Sequence, residues 1–204
     1  MADEPVAAVL LAGGRASRLR GADKPGITIG GRSLLATVAA AAADAGTSRI
    51  IVVGPSRPRL TPHPVEYTTE QPPGAGPVPA LRAGLARVAE PWLFLLAADL
   101  PFLRGSHLRT LLATAQHRQT TGALLLDPHG RKQWLISCWR SEPLASALAG
   151  YGGAALGGVL GRLEPAEVTI PQQPGLPPPW LDCDTDEDLA AAMAFAYPGK
   201  EGDR

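Results

Sequence analysis

The chain is predicted to fold as an α/β protein of three layers, with a mostly parallel, twisted sheet between two layers of helices. Short, continuous apolar runs alternate with longer alanine- and leucine-rich segments of helical periodicity. Such runs suit strands that are buried on both faces. Glycine and proline cluster between these segments, as expected for the loops of a globular chain. Alternation of this kind favours a parallel sheet covered by helices.

Local signals set the limits of the predicted elements. Ser33 is a candidate N-cap of the first helix, and Gly46 is its expected stop. Pro79 stands at a tolerated helix start, residues 127–130 form a turn, and the acids from Asp186 suit the first turn of a last helix. The predicted strands are 6–11, 50–53, 65–67, 92–98, 124–126, 135–139 and 168–170, and the predicted helices are 34–45, 79–89, 105–116, 142–149 and 186–196.

Length and composition limit the possible partners. The 204 residues suffice for one domain, which we expect to span residues 1–197, with a flexible tail at residues 198–204. The 19 basic and 19 acidic side chains give a formal net charge of zero, which argues against a nucleic-acid-binding surface. Two cysteines make no disulfide framework, and no apolar stretch approaches the ~20 residues of a membrane span. We therefore expect a cytoplasmic protein with no nucleic-acid or membrane partner.

A glycine-rich loop follows the first strand and is the most informative segment. Gly13 and Gly14 lack a Cβ, so their N–H groups can point at anionic oxygens, and Arg18 and Lys24 supply positive charge. No Gly-Lys-Ser/Thr follows, and the two glycines are adjacent, so neither a Walker A motif nor a dinucleotide fingerprint is present. The loop therefore predicts a site for nucleotide phosphates. The alternative is a strand-to-helix turn with solvated cations.

A single carboxylate, Asp99, ends the apolar run 92–98, and Pro101 then stops the strand. An acid at the carboxyl end of a strand can hold Mg²⁺ against nucleotide phosphates, because Mg²⁺ takes only one or two protein carboxylates. The alternative is that Asp99 caps the turn that follows.

Two further segments carry candidate residues. Residues 71–81 form a proline-rich loop that feeds a helix N-terminus, which can face a base or a phosphate. Asp182 and Asp184 alternate near the C-terminus, so in extended chain they point to one side. They could bind a metal or a second substrate, whereas the acids at 186–188 are expected to cap the last helix.

The first loop resembles that of the molybdenum cofactor guanylyltransferase family, nucleotidyltransferases with a Rossmann-like, glycosyltransferase-A-like NTP transferase fold. Arg20 stands where that family usually has glycine, and Asp186 stands where it usually has proline. Asp99 matches the family's magnesium-binding acid. The other matching residues are Leu11, Ala12, Gly13, Gly14, Arg18, Leu19, Gly21, Asp23, Lys24, Gly76, Pro77, Leu81, Thr185, Glu187, Asp188 and Leu189.

The resemblance implies that GMP passes from GTP to the terminal phosphate of molybdopterin, with or without molybdenum, and that pyrophosphate is released. Mg²⁺ is the implied cofactor, and molybdenum-insertion proteins and apo-molybdoenzymes are the implied protein partners. The implied catalytic residues are Arg18, Lys24 and Asp99, the metal ligands are Asp99 and Asp184, and the acceptor-binding residues are Asp182 and Asp184. The implied nucleotide-binding residues are Leu11, Ala12, Gly13, Gly14, Arg18, Lys24, Gln71, Gly76 and Asp99.

Departures from the family leave alternatives open. Where the family has an acid linked to guanine recognition, this chain offers Glu70 and Gln71, and a glutamine does not accept two guanine N–H groups as a carboxylate does. Glycines at 152–158 replace the family's arginines, so Arg131, Lys132 or Arg162 are candidates for that role. The alternatives are a transferase whose acceptor is phospholactate or a sugar phosphate, a transferase that uses molybdopterin with CTP, and a non-catalytic nucleotide-binding module. The glycine pattern disfavours a dinucleotide-dependent oxidoreductase.

Overall fold

The computed structural model describes residues 4–13, 24–57, 61–171, 174–183 and 185–196. The strands of this part of the chain are β1 (Val6–Leu11), β2 (Thr28–Ile29), β3 (Arg32–Ser33), β4 (Arg49–Val53), β5 (Glu66–Thr68), β6 (Trp92–Ala97), β7 (Gly122–Leu126), β8 (Lys132–Arg140) and β9 (Ala166–Val168). The helices are α1 (Leu34–Asp44), α2 (Pro77–Leu85), α3 (Gly105–Arg118), α4 (Ser141–Ala149), α5 (Leu156–Leu160) and α6 (Asp186–Ala196). Single 3-10 turns lie at Lys24–Gly26 and Gly161–Leu163.

Seven strands form one sheet in the order β5-β4-β1-β6-β8-β7-β9, and β2 pairs with β3 in a separate ribbon. β5, β4, β1 and β6 are parallel, whereas β8 runs antiparallel to β6 and β7. The mostly parallel sheet predicted from the sequence is therefore confirmed. Because β8 is reversed, its first residues lie at the edge where β1 and β6 end.

Two apolar layers cover the sheet, and the alternation of side chains along β1 assigns them. Ala8 and Leu10 belong to the cluster formed with α1 and α3, whereas Ala7 and Val9 belong to the cluster formed with α2, α4 and α5. All four side chains are fully buried. Burial on both faces explains why β1 is apolar throughout rather than alternating. The three-layer arrangement predicted from the sequence is present.

Most predicted elements occur close to their expected limits. β1 and α6 have the predicted bounds, and Ser33 caps α1 by accepting a hydrogen bond from the Ala36 N–H at 3.1 Å. α2 begins at Pro77, two residues earlier than predicted, because proline at the first helical position loses no hydrogen bond. It ends at Leu85 rather than at residue 89. The N–H of the next residue, Ala86, donates a hydrogen bond to the Arg82 carbonyl at 3.0 Å and so caps the helix.

Other predicted limits were wrong, and the pairing pattern explains two of them. β8 starts at Lys132 rather than 135, since its first residues pair with the end of β7. β9 lies two residues earlier than predicted, with Ala166 and Val168 opposite Ala123 and Leu125 of β7. The sequence analysis missed the β2–β3 ribbon and α5. Among the helices that the structure describes, none combines the length and apolar character needed to cross a bilayer.

We predict that Gly84→Ala destabilises the protein. A Cβ at Gly84 of α2 would lie 2.4 Å from Val9 Cγ1 and 2.9 Å from Val53 Cγ2, so α2 would have to move off the sheet. Overpacking of this kind costs ~1–3 kcal/mol, which is expected to exceed the ~1 kcal/mol that alanine gains over glycine in helix propensity. The free energy of unfolding is measured by urea denaturation.

The control for this prediction is Gly152→Ala. Gly152 is exposed, and a Cβ there would meet no atom within 4 Å. We expect this variant to stay within ~0.5 kcal/mol of wild type. Equal stability of the two variants would contradict the close packing of α2.

Candidate active site

A cavity of about 800 Å³ opens at the edge of the sheet where β1 and β6 end and β8 begins. This size and position suit a small-molecule site, since ligands of open α/β sheets bind beyond the carboxyl ends of the strands. The walls come from the segment after β1, the loop before α2, the segment after β6, the start of β8 and the start of α5. The residues that the argument uses are Gly13, Glu70, Gly76, Asp99, Trp134 and Asp182.

The end of β1 is tied closely to the end of β4. The Ala12 N–H donates to the Val53 carbonyl at 2.8 Å, and the Gly54 N–H donates to the Thr68 carbonyl at 2.8 Å. Gly54 has φ 151°, and a Cβ there would lie 2.9 Å from the Ala12 carbonyl carbon. The absence of a side chain at Gly54 thus lets the backbone after β4 lie close to the backbone of Ala12, and this contact fixes Gly13 at the cavity wall.

Glu70 lies buried in the cavity wall, and its Oε1 accepts a hydrogen bond from the Gly74 N–H at 2.8 Å. The same oxygen lies 3.8 Å from where a Cβ on Gly13 would be. Gln71, which the resemblance implied as the nucleotide-binding residue, is exposed and lies outside the cavity lining. The acidic side chain beside the glycine loop is therefore Glu70.

Lys24 and Asp99 form an ion pair, although they are 75 positions apart in sequence. Lys24 lies in the 3-10 turn after the glycine loop, and Asp99 follows β6. The exposed fractions of the two side chains are only 16% and 18%. The Ala98 N–H donates to the Leu11 carbonyl at 3.2 Å, which fixes the segment that carries Asp99 beside the end of β1. The structure thus brings together two of the three residues that the sequence analysis implied as catalytic.

Asp182 reaches the cavity because the residue after it is anchored. Cys183 is fully buried in a small cluster with Ile29 and Leu34, whereas Asp182 is exposed at the cavity. Burial raises the pKa of the Cys183 thiol to about 12, and the negative charge of Asp99 acts in the same direction. Asp99 and Asp182 both line the cavity and carry the type of ligand that Mg²⁺ takes, since this ion uses one or two carboxylates and completes its shell with water and phosphate oxygens.

The acids after Cys183 include one that caps α6, as the sequence analysis preferred. Asp188 Oδ2 accepts hydrogen bonds from the Thr185 N–H at 2.9 Å and the Thr185 hydroxyl at 2.7 Å. The Asp188 N–H in turn donates to Thr185 Oγ1 at 3.1 Å. This reciprocal pair satisfies two groups at the helix start. Asp188 is therefore structural.

The remaining predicted site residues divide into two groups. Leu11 and Gly76 line the cavity, and Ala12 is buried behind it. Gly14, Arg18 and Asp184 lie outside the described residues, so the predictions made for them stay predictions.

The sequence analysis offered Glu70 beside Gln71 but assigned only Gln71 to the nucleotide site, and it assigned no role to Trp134, although Glu70 and Trp134 both line the cavity. A signal for Glu70 was its position just before the rigid Pro-Pro-Gly turn. The signal for Trp134 was an aromatic side chain at the start of a strand that begins at the binding edge.

Comparison with known proteins agrees with this geometry. Residues 8–166 match the model of the MobA-like NTP transferase domain. The molybdenum cofactor guanylyltransferase of Bradyrhizobium sp. (strain ORS 278) is 32% identical over 200 residues, which cover 94% of this chain and 93% of that protein. The probable molybdenum cofactor guanylyltransferase of Nostoc sp. (strain PCC 7120) is 32% identical over 196 residues, which cover 90% of this chain and 88% of that protein.

Solved structures share the fold at lower identity. A nucleotidyl transferase from Methanothermobacter superposes with a TM-score of 0.71 at 19% identity, covering 95% of this chain and 98% of its own. Molybdopterin-guanine dinucleotide biosynthesis protein A from Archaeoglobus fulgidus gives a TM-score of 0.71 at 16% identity, covering 92% and 96%. These likenesses establish the fold, and the family resemblance found in the first loop is confirmed.

We predict that neither cysteine reacts readily in the folded protein. Burial raises the pKa of Cys138 and of Cys183 to about 12, from 9.0 for an ordinary thiol. At pH 8 the thiolate fraction is then about a thousandfold smaller than for an unperturbed thiol, and the thiolate is the reactive form. Labelling with iodoacetamide, followed by mass spectrometry, is expected to show no modification in native protein and two in urea.

The rate of labelling is expected to rise with pH, because a raised pKa leaves the thiol protonated up to high pH. Cys138→Ser and Cys183→Ser assign each modification. Rapid labelling of Cys183 at pH 8 would show that the segment carrying Asp182 is not anchored as described.

Proposed function

Because this chain belongs to the MobA-like NTP transferase family, we propose that it transfers GMP from GTP to the terminal phosphate of molybdopterin, with or without bound molybdenum. The products are pyrophosphate and a guanine dinucleotide cofactor. The observation that carries this proposal is the Lys24–Asp99 ion pair, which lies beside Gly13 at the end of β1. A cation, an acid and a glycine backbone converge there, as nucleotidyl transfer requires.

In the proposed reaction, an oxygen of the acceptor phosphate attacks the α-phosphorus of GTP. The bond from the α-phosphorus to the bridging oxygen of the β-phosphate breaks, and its electron pair leaves with pyrophosphate. Chemistry of this type depends on alignment and charge stabilisation rather than on a covalent protein group. The protein therefore has to hold the triphosphate, neutralise charge and position the acceptor.

Backbone and cationic groups would hold the triphosphate. The amides at Gly13 and Gly14 would donate hydrogen bonds to phosphate oxygens, since no side chain obstructs that approach. Arg18 and Lys24 would offset the charge that develops on the α-phosphate and on the departing pyrophosphate. Lys24 would exchange its partner Asp99 for phosphate oxygens when the nucleotide binds.

Asp99, with Asp182 and Asp184, would hold Mg²⁺, which when bound supplies positive charge to the α-phosphoryl group. Asp182, which lines the cavity, and Asp184 would also face the acceptor, and their negative charge would restrict where its phosphate can lie. A cytoplasmic location and product transfer to molybdenum-insertion proteins or apo-molybdoenzymes are parts of the same proposal.

The buried carboxylate of Glu70 favours guanine over cytosine. A carboxylate can accept both N–H groups at the edge of guanine, and each of its oxygens can accept more than one hydrogen bond. Glu70 could thus bind guanine while Oε1 still accepts the Gly74 N–H. We propose that Glu70, rather than the exposed Gln71, contributes most to base choice.

We predict that Asp99→Asn lowers turnover by ~10²-fold or more, because a preorganised charged group is lost from the reacting centre. Lys24→Ala is expected to lower it to a similar extent. The measurement is pyrophosphate release with GTP, Mg²⁺ and molybdopterin. Asp44→Asn, at the exposed end of α1, is the matched control and should retain wild-type turnover. Near-normal turnover of Asp99→Asn would rule out the role given to Asp99.

We predict that Glu70→Gln lowers kcat/KM for GTP by ~5- to 100-fold, the range expected when a buried hydrogen-bonding partner is lost. Gln71→Ala, with its exposed side chain, should change this value little. Pyrophosphate release is compared across GTP, CTP, ATP and UTP. A wild-type preference for CTP would favour the cytidylyl alternative, and GTP binding without pyrophosphate release from any acceptor would favour a nucleotide-binding module.

A further inference from the structure

The start of β8 is distorted where it enters the cavity wall. Ser137 pairs with Leu124 of β7, but the next β7 residue, Leu125, pairs with Gln133. Residues 134–136 of β8 therefore bulge, with no β7 residue of their own to pair with. A bulge redirects the side chains that it carries, and bulges recur beside active sites. Here the redirected side chain is Trp134, which lines the cavity.

Buried hydrogen bonds hold this bulge in place. The Ser137 hydroxyl donates to the Trp134 carbonyl at 2.7 Å, and the Trp139 indole N–H donates to Ser137 Oγ at 2.7 Å. Ser137 and Trp139 are both fully buried. The backbone position of Trp134 is therefore set from within the core and does not depend on a bound ligand.

Glycines brace the Trp134 ring from the side of α5. A Cβ on Gly157 would lie 3.1 Å from Trp134 Nε1 and 3.2 Å from Cε2, and a Cβ on Gly161 would lie 3.7 Å from Cη2. The glycines at these two positions, one helical turn apart, leave room for the indole to rest close to the backbone. A Cβ at Gly157 would be in tight contact with the indole, so the ring would have to shift by a few tenths of an ångström.

Trp134 lies across Asp99 from the glycine segment at the end of β1. In the sheet, β6 separates β1 from β8, so Asp99 stands between Gly13 on one side and Trp134 on the other. Lys132 also lines the cavity, with its Nζ 5.7 Å from the centroid of the Trp134 ring and 2.9 Å from Glu167 Oε1. An aromatic ring and a partly neutralised cation thus form this wall.

We infer that Trp134 is the residue that selects acceptors with a flat, fused heteroaromatic ring, by stacking its indole against that ring. The inference rests on the proposed function, which places the triphosphate at Gly13 and so leaves this half of the cavity to the acceptor. A braced, half-buried indole offers a large planar contact area at little further cost in conformational entropy. Phospholactate has no ring and the ring of a sugar phosphate is not aromatic, so Trp134 would favour a pterin-type acceptor over both.

The test uses the full chain and two phosphate probes, neopterin monophosphate, which carries a fused ring, and ribose 5-phosphate, which does not. Binding is measured by titration calorimetry for wild type, Trp134→Ala, Trp134→Phe and the matched control Phe195→Ala, an exposed aromatic outside this cavity. We expect Trp134→Ala to weaken pterin binding by ~10-fold or more, the scale of base–aromatic stacking. Trp134→Phe should retain most of the affinity, and Phe195→Ala should retain all of it.

The outcomes separate this inference from the proposed transfer reaction. If wild type releases no pyrophosphate with molybdopterin but binds the pterin probe in a Trp134-dependent manner, the transfer proposal fails and this inference stands. If transfer occurs but Trp134→Ala leaves both pterin affinity and the KM for molybdopterin unchanged, the inference is overturned. It is also overturned if wild type binds ribose 5-phosphate as tightly as the pterin probe, or binds no pterin.

Discussion

The register between β1 and β6 is the constraint on which the site depends. Leu11 pairs with Ala97, and the Ala98 N–H continues the pairing by donating to the Leu11 carbonyl at 3.2 Å. Because the strands are parallel and in this register, the residues that follow them, Gly13 and Asp99, emerge at the same edge. Because Asp99 and the segment after β1 lie at the same edge, Lys24 can form its ion pair with Asp99. Each of these features would be lost if either strand shifted by one residue, since a shift turns every side chain to the opposite face.

The reversed strand β8 completes a site that a purely parallel sheet would leave open on one side. β1 and β6 contribute residues from their carboxyl ends, whereas β8 contributes residues from its amino end. The cavity therefore has two walls of different origin. The wall from β1 and the loop before α2 is rich in glycine, whereas the wall from β8 is aromatic and held by core hydrogen bonds. This division supports the proposal that a triphosphate and an acceptor of different chemistry meet at Asp99.

The sequence predicted most accurately the strands that are buried on both faces. β1 and β6 are continuous apolar runs, so their limits were within one residue, and the fold class then indicated that Asp99 would lie at the edge of the glycine loop. α5 was missed because two of its five residues are glycine, which disfavours helices by ~1 kcal/mol each. Gly157 leaves room for the Trp134 indole, whereas Gly158 leaves room for Tyr151, whose hydroxyl would lie 2.1 Å from a Cβ there. The place of Trp134 depends on a bulge with no periodic signal in the sequence.

The sequence alone does not decide whether the side chain of Glu70 or that of Gln71 faces the cavity. Adjacent side chains point in different directions, so only one of the two faces the cavity, and the sequence analysis assigned Gln71 to the nucleotide site. The structure buries Glu70, and a buried carboxylate is costly unless hydrogen-bonded. The Gly74 N–H meets that requirement because the Pro-Pro-Gly turn folds its backbone back over the carboxylate. The proline-rich loop therefore holds an acid beside Gly13, next to the segment that the proposed function assigns to the phosphates.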